Sequence, residues 1–359
     1  MKKAIFAAAL LAGVLMLAGC GNQSAPETTP AETSSVVETT PVSHENTNNL
    51  TGLDTLSKEA IGKRPVAVMI NNISQSLPQY GIADADLMFE TLVEGGITRM
   101  MAVYGDYTKI PDICSVRSCR YYYPILAEGL DAVYIHCGCD PTIAAQTLKS
   151  LGIDHFEGND GNELLFERDQ QRLQTYAVEH TMKLKGANVP KAMEEAHMRS
   201  DLKEDKNEPI LHFREEGKIV APDDGNSPCT TVDFRFSDDA AEPYFSTFTY
   251  DAAKKVYLKQ HNGNPHMDAA ADTQLSYTNV FVLETDLSVR DAKGRMNVDW
   301  TGGTGYYVSA GACQKIKWSK PTEEDTIRIT DENGKDITVN AGKSYFGIIQ
   351  TGNAKLSAK

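Results

Sequence analysis

The stretch that decides the reading is Ile113-Cys-Ser-Val-Arg117-Ser-Cys-Arg120-Tyr-Tyr-Tyr-Pro-Ile-Leu-Ala-Glu-Gly-Leu-Asp-Ala-Val-Tyr-Ile-His136-Cys-Gly-Cys-Asp-Pro141. Pro124 is tolerated only in the first turn of a helix, where its missing N–H has no partner to lose. That fixes a helix over about Tyr121 to Glu128, with Gly129 as its stop signal. Asp131 to His136 then reads as a buried strand that carries His136 to its end. Arg117 and Arg120 stand just before the helix, whose N-terminus presents free N–H groups and a partial positive charge. Two guanidiniums there suit a phosphate or a carboxylate. The plainer reading is an arginine pair bridging local carboxylates on the surface.

Outward from this unit, Arg64 to Asn72 is a short apolar run with polar ends and predicts a buried strand. Asp86 to Glu94 and Ile97 to Tyr104, separated by Gly95-Gly96, predict a hairpin. In that hairpin Glu90 and Glu94 share a strand face, and Arg99 falls early in the second strand. Asp140-Pro141 opens a helix from Thr142 to Ser150 that Gly152 ends. Asn188 and Pro190 open another, through about Leu202, with Glu194, Glu195, Arg199 and Lys203 on its solvated face. Strands alternating with helices predict an α/β domain with a mixed sheet over 55–208. From 209 to 352 the chain becomes short strand-like runs cut by turn signals such as Asp-Glu-Asn-Gly334, which predicts a mainly-β module. Residues 353–359 read as a tail.

The N-terminus gives an address. Met1-Lys-Lys precedes an apolar run, Ala4 to Leu17, and then Leu17-Ala-Gly-Cys20. The run is shorter than the about 20 apolar residues a spanning helix needs. It reads as a signal peptide over 1–19 with a small-residue cleavage site. Residues 20–54, rich in Thr, Ser, Pro and Glu, read as a disordered tether. Loss of Lys2 and Lys3 takes the formal net charge from −14 to −16. A chain this acidic is a poor partner for nucleic acid, so anion binding needs a local cationic cluster.

Six cysteines follow Cys20: Cys114, Cys119, Cys137, Cys139, Cys229 and Cys313. An even number outside the cytoplasm favours disulfides, and Cys119 with Cys137 or Cys139 is one candidate pair among Cys114, Cys119, Cys137 and Cys139. Cys-x-Cys and Cys-x4-Cys are not zinc-finger spacings, so no metal is expected, and no motif names a cofactor.

Leu-Ala-Gly-Cys resembles the lipobox of bacterial lipoproteins, which implies cleavage before Cys20, a diacylglyceryl anchor on its sulfur and an extracytoplasmic, lipid-anchored protein at the cell membrane. The stretches RPVAVMINN (64–72), ADADLMFETLVEGGITRMMAVYGD (83–106), VRSCR (116–120), DAVYIHCGCDP (131–141), LKSLGIDH (148–155), NGNPHMD (262–268), NVFVLE (279–284), WSK (318–320) and DENGKDITVNAGKSYFGII (331–349) resemble the YerB-type family of bacterial lipoproteins. The resemblance spans nearly the whole body in two modules. It implies architecture and address rather than a chemistry. This chain departs from the family pattern at Cys114, Cys119, Cys137 and Cys139, where Gly or Ala is usual, and at Glu179-His180-Thr181, where Pro-His-Asn is usual. The first module is more distantly similar to LytR-CpsA-Psr phosphotransferases, which transfer wall glycopolymers from polyprenyl-pyrophosphate carriers. That similarity casts Arg99 and Arg117 as the two arginines. The acids beside them are missing, since Met100, Met101 and Ser118 take their places.

Three functional readings follow. The first is an anchored lipoprotein binding an anionic envelope ligand, such as a wall polymer, or a wall-synthesis protein, through Arg99, Arg117, Arg120 and His136. In this reading His266, Asp268, Trp318 and Lys320 of the second module face a sugar. The second is a transferase or hydrolase with His136 and His180 as acid or base and Glu90 and Glu94 as carboxylate partners. The third is a scaffold without a ligand.

Overall fold

Apolar runs predicted as strands in both halves of the chain meet in one sheet. The structure, a computed structural model, describes residues 45–222, 227–237 and 244–358. The lipidation site Cys20, the signal peptide and most of the tether lie outside the described residues. Eleven strands form the large sheet, and its path runs Ser227–Pro228, Ala312–Ser319, Gly303–Ser309, Asn279–Thr285, Ser344–Gln350, Leu87–Leu92, Thr98–Tyr104, Val66–Asn71, Val133–His136 and His155–Glu157; Arg328–Thr330 flanks Ala312–Ser319. The Ser344–Gln350 strand lies parallel to both its neighbours, Asn279–Thr285 from the second half and Leu87–Leu92 from the first. The sheet is mixed, as the sequence implies: Val66–Asn71 pairs antiparallel with Thr98–Tyr104 and parallel with Val133–His136.

Cross-strand register builds an aromatic ladder over this junction. Phe89 stacks on Phe346 with centroids 4.8 Å apart, Phe346 on Phe281 at 4.6 Å and Phe281 on Tyr307 at 5.1 Å. Each such pair contributes about 0.5–1.5 kcal/mol beyond the area it buries. The opposite face carries Tyr345 against Phe234, Phe248 and Tyr277. Those partners come from a second, antiparallel sheet built around Thr231–Ser237, Tyr244–Asp251 and Val256–His261.

Helices are few among the described residues. Tyr122–Gly129 is wholly buried, one residue beyond the predicted start, with Pro124 in its first turn. Ala144–Leu151 is held at its start by Asp140, whose carboxylate accepts from the N–H groups of Ile143 at 2.8 Å and Ala144 at 3.1 Å, and it stops at Gly152 with φ +64°. The third helix spans only Val189–Glu195 and does not reach Leu202. His197 takes a left-handed φ of +53° there. Arg199 and Lys203 lie beyond the helix and, though exposed, are held in ion pairs. Arg199 pairs with the carboxylate of Asp131, which also accepts the Lys203 N–H at 2.8 Å, and the Lys203 ammonium donates to Glu128 at 2.9 Å.

Two boundaries also move. The tether stops well before residue 54, because Asn48, Leu50 and Thr51 are buried and Ser57 donates to Asp106. The expected tail is a strand, Ala354–Ser357, paired with Thr231–Ser237.

Candidate functional site

The arginines gather where the parallel strands end. The segment after Ile113 crosses the carboxyl ends of Val66–Asn71 and Val133–His136. The Arg117 N–H donates to Met69 O at 3.0 Å, its carbonyl accepts the Cys137 N–H at 3.0 Å, and the Cys119 N–H donates to Gly138 O at 2.9 Å. Arg99 faces Asn71 in antiparallel register, which brings it to the same edge. In open α/β sheets the crevice outside the carboxyl ends of strands is the usual place for a ligand.

Arg99 is buried, and one of its terminal N–H groups donates to Ser118 O at 2.7 Å. Burial, then the guanidiniums of Arg120 and Arg117, pull it down to about 10, so it stays a cation at neutral pH. Arg120 donates to Glu94 at 2.7 Å and to Cys119 O at 2.8 Å. Arg117 donates to Glu179 O at 3.2 Å, while its buried Nε has no protein partner. Burial lowers Arg117, and the carboxylate of Glu179 works the other way. His180 belongs to the rim. Its Nδ1 lies 2.9 Å from the Asn71 amide, and burial and then Arg117 hold it below the usual imidazole range. Three cations thus meet two carboxylates, one of them at contact distance.

Other candidates lie elsewhere. His136 Nδ1 lies 3.0 Å from Gly138 O and 3.2 Å from the Glu157 carboxylate, and its Nε2 lies 3.0 Å from His155 Nδ1. It makes no bond to the arginines. Glu90 and Glu94 do not share a face, because Glu94 sits in the 3-10 turn Glu94–Gly96 that closes the hairpin, while Glu90 is interior to Leu87–Leu92. The second-module candidates do not form a sugar face. Asp268 accepts from the N–H groups of Ile82 at 2.7 Å and Ala83 at 2.8 Å. Trp318 is buried and donates to Glu284 O at 3.1 Å. Lys320 is buried, and its ammonium donates to the carbonyls of Thr322, Glu323 and Asp325. These three serve loop anchoring, because each spends its polar atoms on backbone. Of the cysteines, Cys114 donates to His180 O and Cys137 to Asn159, whereas Cys119 and Cys139 stand side by side. Among the described residues no group of three or more His, Cys, Asp or Glu side chains is disposed to hold a metal ion.

One constellation escapes the sequence reading. Glu90 and Lys259, both fully buried, form an ion pair of 3.2 Å between the two halves of the chain. Glu90 also accepts from Asn72 at 2.9 Å, Thr98 at 2.8 Å and Tyr345 at 2.8 Å. Lys259 donates further to Ser246 at 2.9 Å and to His266 Nδ1 at 3.1 Å, so His266 is the Nε2–H tautomer that donates to Gln79 Oε1 at 2.9 Å. Burial opposes both charges and pulls Lys259 down, yet Lys259, His261, Thr98 and Tyr345 together hold Glu90 below the usual carboxylate range. Three acceptors around three ammonium protons decide for the ion pair. With every donor and acceptor used, the pair ties the halves together and has no atom to spare for chemistry. Beside it a cleft of about 430 Å³ is lined by Ser74, Pro78, His261 and His266, and both ring nitrogens of buried His261 lack a protein partner. A separate cavity of about 450 Å³ is lined by Thr47, Asn48, Asn49 and Leu50 among others.

Fold and site together describe a two-module body, fused through one mixed sheet, with a cationic strand-end cluster. Residues 50–199 match the family model described as Protein of unknown function (DUF3048) N-terminal domain, and residues 232–346 match the model of its C-terminal domain. The chain belongs to this two-domain family. It is 28% identical over 302 residues to a protein of Bacillus subtilis (strain 168) named as a lipoprotein, YerB, which covers 84% of this chain and 85% of the relative. The crystal structure of the YerB protein from Bacillus subtilis superposes with a TM-score of 0.74 at 25% identity, over 86% of this chain and 99% of that one. Neither relative nor family model carries the LytR-CpsA-Psr similarity.

Proposed function

We propose that the protein is a lipoprotein anchored through Cys20 on the outer face of the cell membrane, which binds an anionic envelope ligand at Arg99, Arg117 and Arg120. The observation that carries this reading is the near-complete burial of Arg99 beside two further guanidiniums, at a strand-end crevice of a chain whose net charge is −14. Like charges held together cost free energy that a bound anion offsets. The guanidinium fork suits phosphate or carboxylate oxygens, and Arg117 Nε is an unspent donor for one.

Titration calorimetry with inorganic pyrophosphate and with soluble poly(glycerol phosphate) tests this. Binding that weakens at least about tenfold in Arg117→Ala and falls with added salt supports the site, since each lost charge-assisted bond is worth about 1.5–3 kcal/mol. Equal affinity in Arg117→Ala and wild type, or no binding to either probe, refutes it. A second reading, phosphotransfer, draws on Glu94, the carboxylate in contact with Arg120. Release of phosphate from a prenyl pyrophosphate that Glu94→Gln abolishes, with pyrophosphate affinity kept, would select it.

A further inference from the structure

We propose that Cys119 and Cys139 are a redox-active dithiol, with Cys139 the attacking sulfur and Cys119 the resolving one, that cycles by exchange with external disulfides. Backbone geometry comes first. Cys119 and Cys139 are partners in a parallel bridge, anchored by the Cys119 N–H on Gly138 O at 2.9 Å. Neighbouring strands lie roughly 4.7–4.9 Å apart, within the roughly 4.4–6.8 Å that a disulfide spans between Cα atoms. The two thiols lie close enough to shift each other's ionisation, and Cys139 Sγ also donates to Asp140 O at 3.4 Å.

The pair is asymmetric in the way exchange requires. Cys139 is half-buried, whereas Cys119 is fully buried. The neighbouring Cys119 thiol, and then His136, draw the Cys139 thiol down against burial, while burial pushes Cys119 well up. The thiolate is the nucleophile, so an accessible, acidified sulfur attacks and its sheltered neighbour waits. Cys114 and Cys137 donate to His180 O and to Asn159, and the backbone bridge pairs neither of them with a second cysteine. With glutathione disulfide as the oxidant, the Cys139 thiolate attacks one sulfur and expels a glutathione thiolate, which takes up the proton Cys139 has lost. Cys119 then gives up its proton, attacks the Cys139 sulfur and expels the second glutathione. Two thiols become one disulfide, and one external disulfide becomes two thiols. The bond would lock the segment carrying Arg117 and Arg120 to the loop after His136.

The test uses the full mature chain in detergent, reduced, then exposed to glutathione disulfide, alkylated and mapped by peptide mass. A Cys119–Cys139 link with Cys137 alkylated is expected, and Cys229 and Cys313, which lie close together where Ser227–Pro228 pairs with Ala312–Ser319, are read from their own peptides. A Cys137–Cys139 link, or independent alkylation of Cys119 and Cys139, overturns the proposal. In Cys119→Ser a mixed glutathione disulfide should accumulate on Cys139 at least about tenfold above wild type, since its resolving partner is gone. In Cys139→Ser, Cys119 should resist both reagents until the chain is unfolded. Equal glutathione adducts at Cys139 in wild type and Cys119→Ser would refute the resolving role.

Discussion

Replacing Lys259 by methionine keeps an unbranched, flexible side chain in the core and deletes its charge. The buried Glu90 carboxylate then keeps Asn72, Thr98 and Tyr345 but loses its ion-pair partner, while Ser246 and His266 Nδ1 each lose a donor. Breaking a buried pair by removing one partner costs about 3–5 kcal/mol, because the remaining charge has neither water nor a counter-ion. A natural domain has about 5–15 kcal/mol in total, so Lys259→Met should take a large share of the stability. Urea unfolding of the mature chain, followed through Trp300 and Trp318, measures the loss.

The double variant Glu90→Leu/Lys259→Met separates charge from shape. With both ions gone and apolar groups of similar length in place, the double variant should be more stable than Lys259→Met alone, while Asn72, Thr98 and Tyr345, left without their acceptor, keep it below wild type. The coupling between the two positions should then be strongly favourable to the double change. If Lys259→Met costs under about 1 kcal/mol, or if the double variant is no more stable than the single one, the pair is not the electrostatic clasp described above.

Three further outcomes follow. Burial, and then Lys259, hold His261 down to about 4 from an ordinary 6.5 and His266 well below that ordinary value, so the unfolded chain binds more protons than the folded one as pH falls below 6.5. Unfolding free energy should therefore drop between pH 6.5 and 4 by about 1.4 kcal/mol per pH unit per histidine, to about 3 kcal/mol for His261, and His261→Phe should flatten the profile; a flat wild-type curve would contradict the burial. Asp131→Asn should cost about 3 kcal/mol or more in urea unfolding, since Asp131 is buried and its carboxylate holds Arg199 at 2.8 Å, the Lys203 N–H at 2.8 Å and Arg64 at 3.6 Å; a loss under 1 kcal/mol would show the cluster is slack. A fragment of residues 45–222, deprived of the Ser344–Gln350 strand, should expose the Leu87–Leu92 edge and aggregate, whereas co-expression with 227–358 should rescue it. A soluble, cooperatively unfolding monomer of 45–222 would show that the first half does not need the shared sheet.

The local signals of the first half were readable because they are local. Pro124 set the start of its helix and Gly152 the end of the next. Asp140 advertised its capping role, and the paired glycines at 95 and 96 marked the hairpin. The third helix failed for a nonlocal reason: Asp131 and Glu128, far upstream, draw Arg199 and Lys203 out of helical spacing. The same limit hid the clasp. In Val256-Tyr-Leu-Lys-Gln-His261 the aliphatic positions suggest that Val256 and Leu258 face the core, yet Tyr257, Lys259 and His261 do. A lysine can take an inward position only where a carboxylate and further acceptors already wait, and those belong to strands distant in sequence. A lysine's polarity by itself points to the surface, and the sequence around Trp318 and Lys320 does not show that both spend their polar atoms on backbone carbonyls. The arginines escaped this difficulty in part. Arg117 and Arg120 share one segment, and Arg99 reaches them because the hairpin register sets it opposite Asn71. A cluster assembled at strand ends is therefore more legible than one assembled between sheets, since strand ends are fixed by pairing that each strand's own pattern announces, whereas contacts across sheets depend on which face each strand turns inward.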